Sequence, residues 1–295
     1  MNVEPLDASF GAVVTGVRIQ ALDEPAWQQL HAAWLDHALL VLPGQFPARD
    51  VQNAFALRFG DLEFPATAIA NVDRHGRVHS SGDDDVVKNL RGNEGWHHDS
   101  TYMPVQAKGA VLSAEIVPSA GGATEWADMR AAYDALSEDN RVRLRGLRAR
   151  HSIAYSQRRV GFLPSQQSDG SYNGYGYHDL EAPLRPLVKV HPETGRPNLL
   201  VGRHAHDIEG WPSADSERFL DELNEWACAS ERCCRHQWAV GDVVVWDNRR
   251  LMHRATPYDM TEPRRMWHTR IAGDPVSEAA DNHRISGSSA PAAAG

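Results

Sequence analysis

The sequence predicts a mainly β protein with flanking helices, in which antiparallel strands form a double sheet. Short segments rich in β-branched and other apolar residues recur between Gly and Pro residues, and only a few helical patterns separate them. The strands and helices do not alternate regularly, as they would in a parallel βαβ sheet. The length of 295 residues is compatible with one large β domain. A double-sheet or barrel architecture is therefore favoured.

The pattern divides the chain into one domain and a tail. We expect a single domain over residues 1–277, because no repeat or linker interrupts it. Residues 278–295 form the expected tail. From Gly287 onward it has low complexity and no large apolar side chain that could anchor it, so we expect it to be disordered.

The first elements are predicted by turn and capping residues. Residues 11–19 carry β-branched side chains between glycines and predict an early strand or hairpin. Asp23 can cap a helix that has Pro25 in its first turn. Residues 38–42 predict a buried strand that Pro43 and Gly44 end. The helix should bury three side chains that recur at helical spacing, namely Trp27, Leu30 and Trp34.

A second helix and a long loop follow. The helix is predicted to begin near Asp50, to bury Val51, Phe55 and Phe59, and to end at Gly60. Residues 61–95 show no regular pattern. Because long loops inside compact domains are usually functional, we expect this segment to be a flap over an active site.

The second half of the chain predicts further helices and most of the remaining strands. Helices are expected after Asp128, after Ser137 and across 216–229, where Phe219, Leu223 and Trp226 would form the buried face. Residues 165–176 are predicted to be a polar loop. Strands are predicted at 184–190, 198–201, 243–246 and 265–272.

Charge and composition exclude several classes of function. The net charge of −9 argues against general nucleic-acid binding and against adhesion to an anionic membrane. The longest apolar run, residues 38–42, is far shorter than the roughly 20 residues that span a bilayer. The N-terminus lacks the features of a secretory signal. The three cysteines lack the paired spacing of a zinc ribbon, and their odd number fits a reducing cytoplasm.

A candidate metal site begins with His97 and Asp99. Residues two apart in a strand project from the same face, so an imidazole and a carboxylate could point together into a barrel mouth. This short motif alone is also compatible with a polar strand edge. A second histidine, His253, follows the predicted strand 243–246, and an antiparallel sheet could bring it beside the pair. Two histidines and one carboxylate leave three positions open on the metal, as in non-haem Fe(II) oxygenases.

At this point the chain resembles the taurine / 2,4-dichlorophenoxyacetate dioxygenase family. The resemblance runs from about residue 11 to residue 273, and its motifs include Trp96-His97-x-Asp99, Gly121-Gly122-x-Thr124-Glu125 and Trp246-Asp247-Asn248-Arg249-x-x-x-His253-Arg254-Ala255. Within the family the chain is most similar to the (S)-specific phenoxypropionate (aryloxyalkanoate) branch. The segments 191–197 and 202–206 belong to that likeness. The family implies a double-stranded β-helix core, also called a jelly roll or cupin-like fold.

The resemblance also implies roles for individual residues. His97, Asp99 and His253 would bind Fe(II), and Arg264 with Thr124 would bind the distal carboxylate of 2-oxoglutarate, the co-substrate. A guanidinium fork and a hydroxyl suit a carboxylate, although Arg265 is a rival for the role. Some members have a second arginine four residues later, where this chain has His268; His268 or Arg270 could take that place. The expected substrate-binding residues are Asn93, Arg203, His204 and Arg270.

The implied reaction consumes 2-oxoglutarate and O₂, yields succinate and CO₂, and hydroxylates a small anionic substrate; ascorbate is expected to support it. For an aryloxyalkanoate, hydroxylation at the carbon bearing the ether oxygen would release a phenol and a 2-oxo acid. One alternative is the same chemistry on a sulfonate, an alkyl sulfate or a small natural-product carboxylate. Another is a jelly roll that binds a metal or small molecule without redox chemistry. We also expect a cytoplasmic homo-oligomer that binds neither nucleic acid nor membrane.

Overall fold

The computed structural model describes residues 1–172 and 174–284. Over these residues the strands are β1 (Asn2–Pro5), β2 (Ala12–Thr15), β3 (Leu39–Leu42), β4 (Leu62–Ala70), β5 (Gly109–Ile116), β6 (Thr124–Asp128), β7 (Arg148–His151), β8 (Leu184–Pro186), β9 (Val188–Val190), β10 (Pro197–Leu199), β11 (Ala205–Ile208), β12 (Cys233–His236), β13 (Val243–Asp247), β14 (Leu251–Ala255) and β15 (Arg265–Ile271). The helices are α1 (Glu24–His37), α2 (Arg49–Leu57), α3 (Asp85–Gly92), α4 (Met129–Asp134), α5 (Glu138–Leu144), α6 (Ile153–Arg159), α7 (Ser213–Ala227) and α8 (Pro275–Glu278). Short 3-10 turns lie at Ile19–Ala21, Ser230–Arg232 and Asp281–His283.

Two sheets form the predicted jelly-roll core. The major sheet has the strand order β1-β2-β3-β13-β5-β15-β4, and a smaller sheet has the order β12-β6-β14. Every pairing in them is antiparallel except that of β2 with β3. The prediction of a mainly β, double-sheet fold with flanking helices is confirmed. No helix in the described part of the chain is long and apolar enough to cross a membrane.

Strand β13 shows how the sequence fixes the layers. Val243 and Val245 face one side, where they pack in a buried cluster with Trp34 of α1 and Phe55 of α2. The alternate residues Val244 and Trp246 face the other side and pack with the small sheet through Trp126 and Leu251. Because side chains alternate along a strand, one short apolar run serves both layers. Helices α1 and α2 therefore cover one face of the major sheet, and the other face of the sheet forms the interior of the barrel.

Local signals placed most helices correctly. The Asp23 carboxylate caps α1 by accepting the Ala26 N–H, and Leu30 and Trp34 are buried as predicted. Asp128 caps α4 and Ser137 caps α5. The face of α7 differs from the prediction, because Trp226 is 41% exposed. The buried side chains of α7 are instead Ser216, Leu220, Leu223 and Ala227.

The prediction of an irregular flap over 61–95 is wrong for two parts of that segment. Residues 62–70 form β4, which pairs with β15 along the edge of the major sheet, and residues 85–92 form α3. Pro65 lies within β4; proline lacks the amide donor of a central strand but is tolerated at an edge. A strand held by the sheet cannot swing as a lid. The irregular parts are residue 61, residues 71–84 and residues 93–95.

Packed structure continues past the expected domain boundary at residue 277. Glu278 is 1% exposed and contacts Lys189, and the Asn282 amide oxygen accepts the Leu184 N–H at 2.8 Å. Residues 278–284 are therefore part of the domain rather than of a tail. The remaining expected tail, 285–295, lies outside the described residues.

Candidate metal centre and its cavity

Three buried side chains converge at the open end of the barrel. His97, Asp99 and His253 each offer a ligand atom, and these atoms lie within 4.8 Å of one another. His97 and His253 exchange two backbone hydrogen bonds of 3.0 and 2.9 Å, which sets the two imidazoles side by side. A strand was predicted around His97, but the structure has only this isolated bridge between His97 and His253. The strand does not continue because the chain turns at Ser100, whose φ is +56°. The three residues meet as predicted, but through a bridge and a turn.

The donor set fits a divalent transition metal. The Nδ1–H of His97 donates to the Gly95 carbonyl at 2.8 Å, and this bond leaves Nε2 free as a ligand. The Oδ2 atom of Asp99 is buried and has no hydrogen-bond partner among the described residues. Because a buried carboxylate oxygen without a partner is costly, a bound cation would satisfy it. Two imidazoles and one carboxylate on one side are the arrangement that suits Fe(II) with open positions.

The charge states suit metal binding. Burial lowers the pKa of His253 to about 4, and burial likewise lowers the pKa of His97 well below its usual value. Both imidazoles are therefore neutral and able to coordinate. Burial is the largest single effect and would raise the pKa of Asp99, but the Arg270 guanidinium together with His253 and His268 outweighs burial, and the pKa lies well below the ordinary range. Asp99 is an anion at the centre of the site.

A cavity of about 80 Å³ opens beside this group. Its apolar wall includes Leu112, Trp246 and Met266 of the major sheet and Ala255 of the smaller sheet. Its polar lining comprises Asn93, His97, Asp99, Thr124, His253, Arg264, His268 and Arg270. The structure thus gathers in one cavity most of the residues that the sequence singled out.

Arg264 is a buried cation without a counter-ion. It is 5% exposed, it forms no ion pair with any described residue, and its one side-chain hydrogen bond, 3.2 Å long, goes to the Gly122 carbonyl. Gly122 has a φ of +63°, and a Cβ there would lie 3.2 Å from the Arg264 Nε. Thr124 lies in the same cavity, and its hydroxyl accepts a hydrogen bond from Trp238 at 2.9 Å. That hydroxyl can still donate its own proton, so the pair suits a carboxylate.

The rival Arg265 points elsewhere. Its guanidinium lies 3.3 Å from Glu115 and donates to the carbonyls of Val72 and Asp73. These groups belong to the opposite face of the sheet, as the alternation along β15 requires. Arg265 is therefore outside the metal cavity.

Arg270 pairs directly with the candidate metal ligand. It lies 2.5 Å from the Oδ1 of Asp99 and donates to the Ser100 hydroxyl at 3.0 Å. Glu63 lies 4.0 Å from Arg270 and also accepts a hydrogen bond from Ser100. His268 lies in the same cavity, with its Nε2 3.4 Å from the Oδ2 of Asp99 and its ring stacked on Trp246. The positive charge of Arg270 is thus already paired with the Asp99 carboxylate.

The other expected substrate residues are divided between the cavity and its rim. Asn93 lines the cavity. Arg203 and His204 do not, although the His204 ring lies edge-on to that of His97 at 5.7 Å. The Arg203 guanidinium donates to Gln157 and Ser156, both neutral, and has no carboxylate partner in the described chain. Arg203 and His204 thus form a cationic and polar patch next to the metal group.

Sequence reasoning missed two residues around Arg270. Glu63 lies on β4, which was expected to be irregular, and Tyr175 lies in the loop over 165–176, from which its hydroxyl donates to Glu63. The only sequence signal for β4 is a weak alternation from Leu62 through Ala70 that Pro65 interrupts. No local signal identifies Tyr175, because its contact depends on the folding of a distant loop.

Comparison with known proteins identifies the family of the chain. The sequence profile of the family described as "Taurine catabolism dioxygenase TauD, TfdA family" matches residues 2–271. A relative from Sphingobium herbicidovorans, named (S)-phenoxypropionate/alpha-ketoglutarate-dioxygenase, is 59% identical over 96% of this chain and 98% of its own. A protein of the same name from Delftia acidovorans is 54% identical over 95% of this chain and 98% of its own.

A solved structure shows the same fold. The crystal structure of AAD-2 in complex with Mn(II) and N-oxalylglycine superposes with a TM-score of 0.86 and 32% identity. The match covers 95% of this chain and 99% of that one.

Proposed function

The chain belongs to the TauD/TfdA dioxygenase family, and from this premise we propose that its substrate is an aryloxyalkanoate of the phenoxypropionate type. The protein is an Fe(II)- and 2-oxoglutarate-dependent dioxygenase. The alternative of a jelly roll that lacks redox chemistry is wrong, because the family is enzymatic. When bound, Fe(II) couples the reduction of O₂ to decarboxylation of 2-oxoglutarate and to hydroxylation of the substrate.

His97, Asp99 and His253 would hold the metal, and Arg264 with Thr124 would hold the distal carboxylate of 2-oxoglutarate. The observation that carries this assignment is the buried, uncompensated guanidinium of Arg264 in the cavity of the metal group. Burying a cation without a partner is unfavourable, so the site is incomplete until an anion enters.

The substrate carboxylate would bind at Arg203 and His204. Both lie beside His97, and Arg203 makes hydrogen bonds only to neutral groups among the described residues. Arg270, also expected to bind substrate, would hold Asp99 in place, and its buried Nε–H, which has no hydrogen-bond partner among the described residues, would be left to bind the substrate. Asn93 would line the substrate space. Hydroxylation next to the ether oxygen would give a hemiketal that separates into a phenol and pyruvate.

The proposal is tested by product analysis over a panel of anions. The purified protein would be incubated with Fe(II), 2-oxoglutarate and ascorbate; we propose that ascorbate supports turnover. The compounds tested one at a time would be the two enantiomers of a phenoxypropionate, a phenoxyacetate, an alkanesulfonate and an alkyl sulfate. We expect phenol and succinate in equal amounts from a phenoxypropionate. Succinate formation coupled only to the sulfonate or the sulfate would favour the alternative substrate class. Absence of phenol from both enantiomers would contradict the proposal.

We also propose that the enzyme acts in the cytoplasm as a homo-oligomer. The three cysteines are free thiols, and burial raises the pKa of each of them, so they are unreactive side chains of the kind a reducing compartment allows. Light scattering during gel filtration would measure the molar mass. A mass equal to that of one chain would contradict the proposed self-association.

A further inference from the structure

Asn248 holds the backbone of the candidate metal ligand Asp99. Its side-chain oxygen accepts the Asp99 N–H at 2.7 Å, and its amide nitrogen donates to the Asp99 carbonyl at 3.0 Å and to the Ala107 carbonyl at 2.9 Å. Asn248 is completely buried, in the turn between β13 and β14. Because β14 carries His253, the same turn fixes two of the three ligands relative to each other.

Asn71 holds Arg264 in a similar way. Its side-chain oxygen accepts the Arg264 N–H at 2.7 Å, and its amide nitrogen donates to the carbonyls of Met260 and Glu262, both at 2.9 Å. It is also completely buried, directly after β4 and opposite the start of β15. The backbone N–H of Asn71 donates to the Arg264 carbonyl at 3.2 Å. The backbone N–H and the backbone carbonyl of Arg264 are therefore both hydrogen-bonded to Asn71.

These contacts matter because regular structure does not hold the two segments. Asp99 lies outside every strand, and no other hydrogen-bond partner of its peptide N–H occurs among the described residues. Arg264 precedes β15 by one residue. In each case an asparagine amide replaces the ladder of hydrogen bonds that would position the residue in a sheet, and each amide satisfies buried peptide groups that would otherwise be unpaired.

We propose that Asn248 and Asn71 are positioning residues with separate effects, Asn248 for metal affinity and Asn71 for 2-oxoglutarate affinity. The inference rests on the proposed roles of Asp99 and Arg264. Loss of the Asn248 amide would free the Asp99 carboxylate to move from the point where the imidazoles meet. Loss of the Asn71 amide would let the Arg264 guanidinium drift from the cavity. Neither asparagine is expected to touch metal or 2-oxoglutarate.

The test compares Asn248→Ala and Asn71→Ala, each serving as the control for the other. Mn(II) affinity would be measured by titration calorimetry, and 2-oxoglutarate affinity by the same method with saturating Mn(II) and without oxygen. Loss of a residue that orients a metal ligand typically weakens metal binding about 10- to 100-fold, and we expect this for Asn248→Ala only. Because misplacement of a binding group by about 1 Å can cost a factor of 100, we expect 2-oxoglutarate binding to weaken by at least about tenfold in Asn71→Ala only.

Neutral serine variants keep the test valid if an alanine variant does not fold. The hydroxyl in Asn248→Ser or Asn71→Ser adds no charge to these fully buried positions and can replace part of the three hydrogen bonds of the amide, so each variant should show the same separate effect with a smaller magnitude. Weakening of both ligands by both variants, or of neither, would overturn the inference. Wild-type protein that binds neither Mn(II) nor 2-oxoglutarate would instead refute the proposed site itself.

Discussion

Replacement of Arg264 by alanine is predicted to weaken 2-oxoglutarate binding without weakening the fold. A hydrogen-bonded pair with a charged group contributes about 1.5 to 3 kcal/mol, which corresponds to a 10- to 150-fold rise in the 2-oxoglutarate dissociation constant. Arg264 has no carboxylate partner among the described residues, so its removal leaves no anion unpaired in the ligand-free protein. We therefore expect the midpoint of thermal unfolding to stay the same or to rise.

The neighbouring variant Arg265→Ala is the matched control. The two residues are adjacent in sequence, but Arg265 contacts Glu115 on the other face of the sheet. The KM for 2-oxoglutarate would be measured by succinate formation at saturating substrate, together with the binding constant under anaerobic Mn(II). A raised KM in Arg265→Ala, with an unchanged KM in Arg264→Ala, would refute the assignment. A large fall in stability of Arg264→Ala would show that the guanidinium has a structural role instead.

Three further predictions concern the metal, the substrate and the fold. Asp99→Ala should abolish Mn(II) binding and turnover, which calorimetry and succinate formation would measure. His98→Ala should keep much of both, because the Nδ1–H of His98 donates to the Asn248 carbonyl, away from the site. An equal loss in the two variants would contradict this prediction. Arg203→Ala should raise the KM for a phenoxypropionate while succinate still forms without phenol, and a fully coupled variant would argue against the role. Arg250→Ala should lower the free energy of unfolding, measured in urea, by about 3 to 5 kcal/mol. Asp128 is fully buried and lies 2.6 Å from Arg250, so the variant leaves its carboxylate without a cation. A loss below about 1 kcal/mol would contradict the ion-pair argument.

The sequence predicted those parts of the fold that depend on local chemistry. Asp23, Asp128 and Ser137 act as helix caps through bonds to residues two or three positions away, so a short window contains the whole signal. Strand β4 was missed because Pro65 interrupts its pattern and because an edge strand is half exposed. The alternation of an edge strand is weak when neither face is fully buried.

The sequence predicted which residues form the candidate site better than it predicted the contacts that hold them in place. His97, Asp99 and His253 come together as expected, yet a strand was expected to present the first two. The actual support is a two-residue bridge and the Asn248 side chain, both formed with residues about 150 positions away. Such contacts have no local sequence pattern, and only the motif as a whole indicated them. For the same reason the pairing of Arg270 with Asp99 could not be foreseen.

The charges of the site would allow a protein with a net charge of −9 to bind the two organic anions proposed as its ligands. Around the metal group Arg270 is shared by the carboxylates of Asp99 and Glu63, whereas Arg264 and Arg203 have no carboxylate within the described chain. The distal carboxylate of 2-oxoglutarate and the carboxylate of an aryloxyalkanoate would compensate these two cations one by one. Because a buried charge is stable only when it is paired, 2-oxoglutarate would remove an electrostatic penalty at Arg264, and the substrate carboxylate would pair the partly buried Arg203. The two cations without carboxylate partners in the described chain would therefore give this site local complementarity to two anions even though the protein as a whole is acidic.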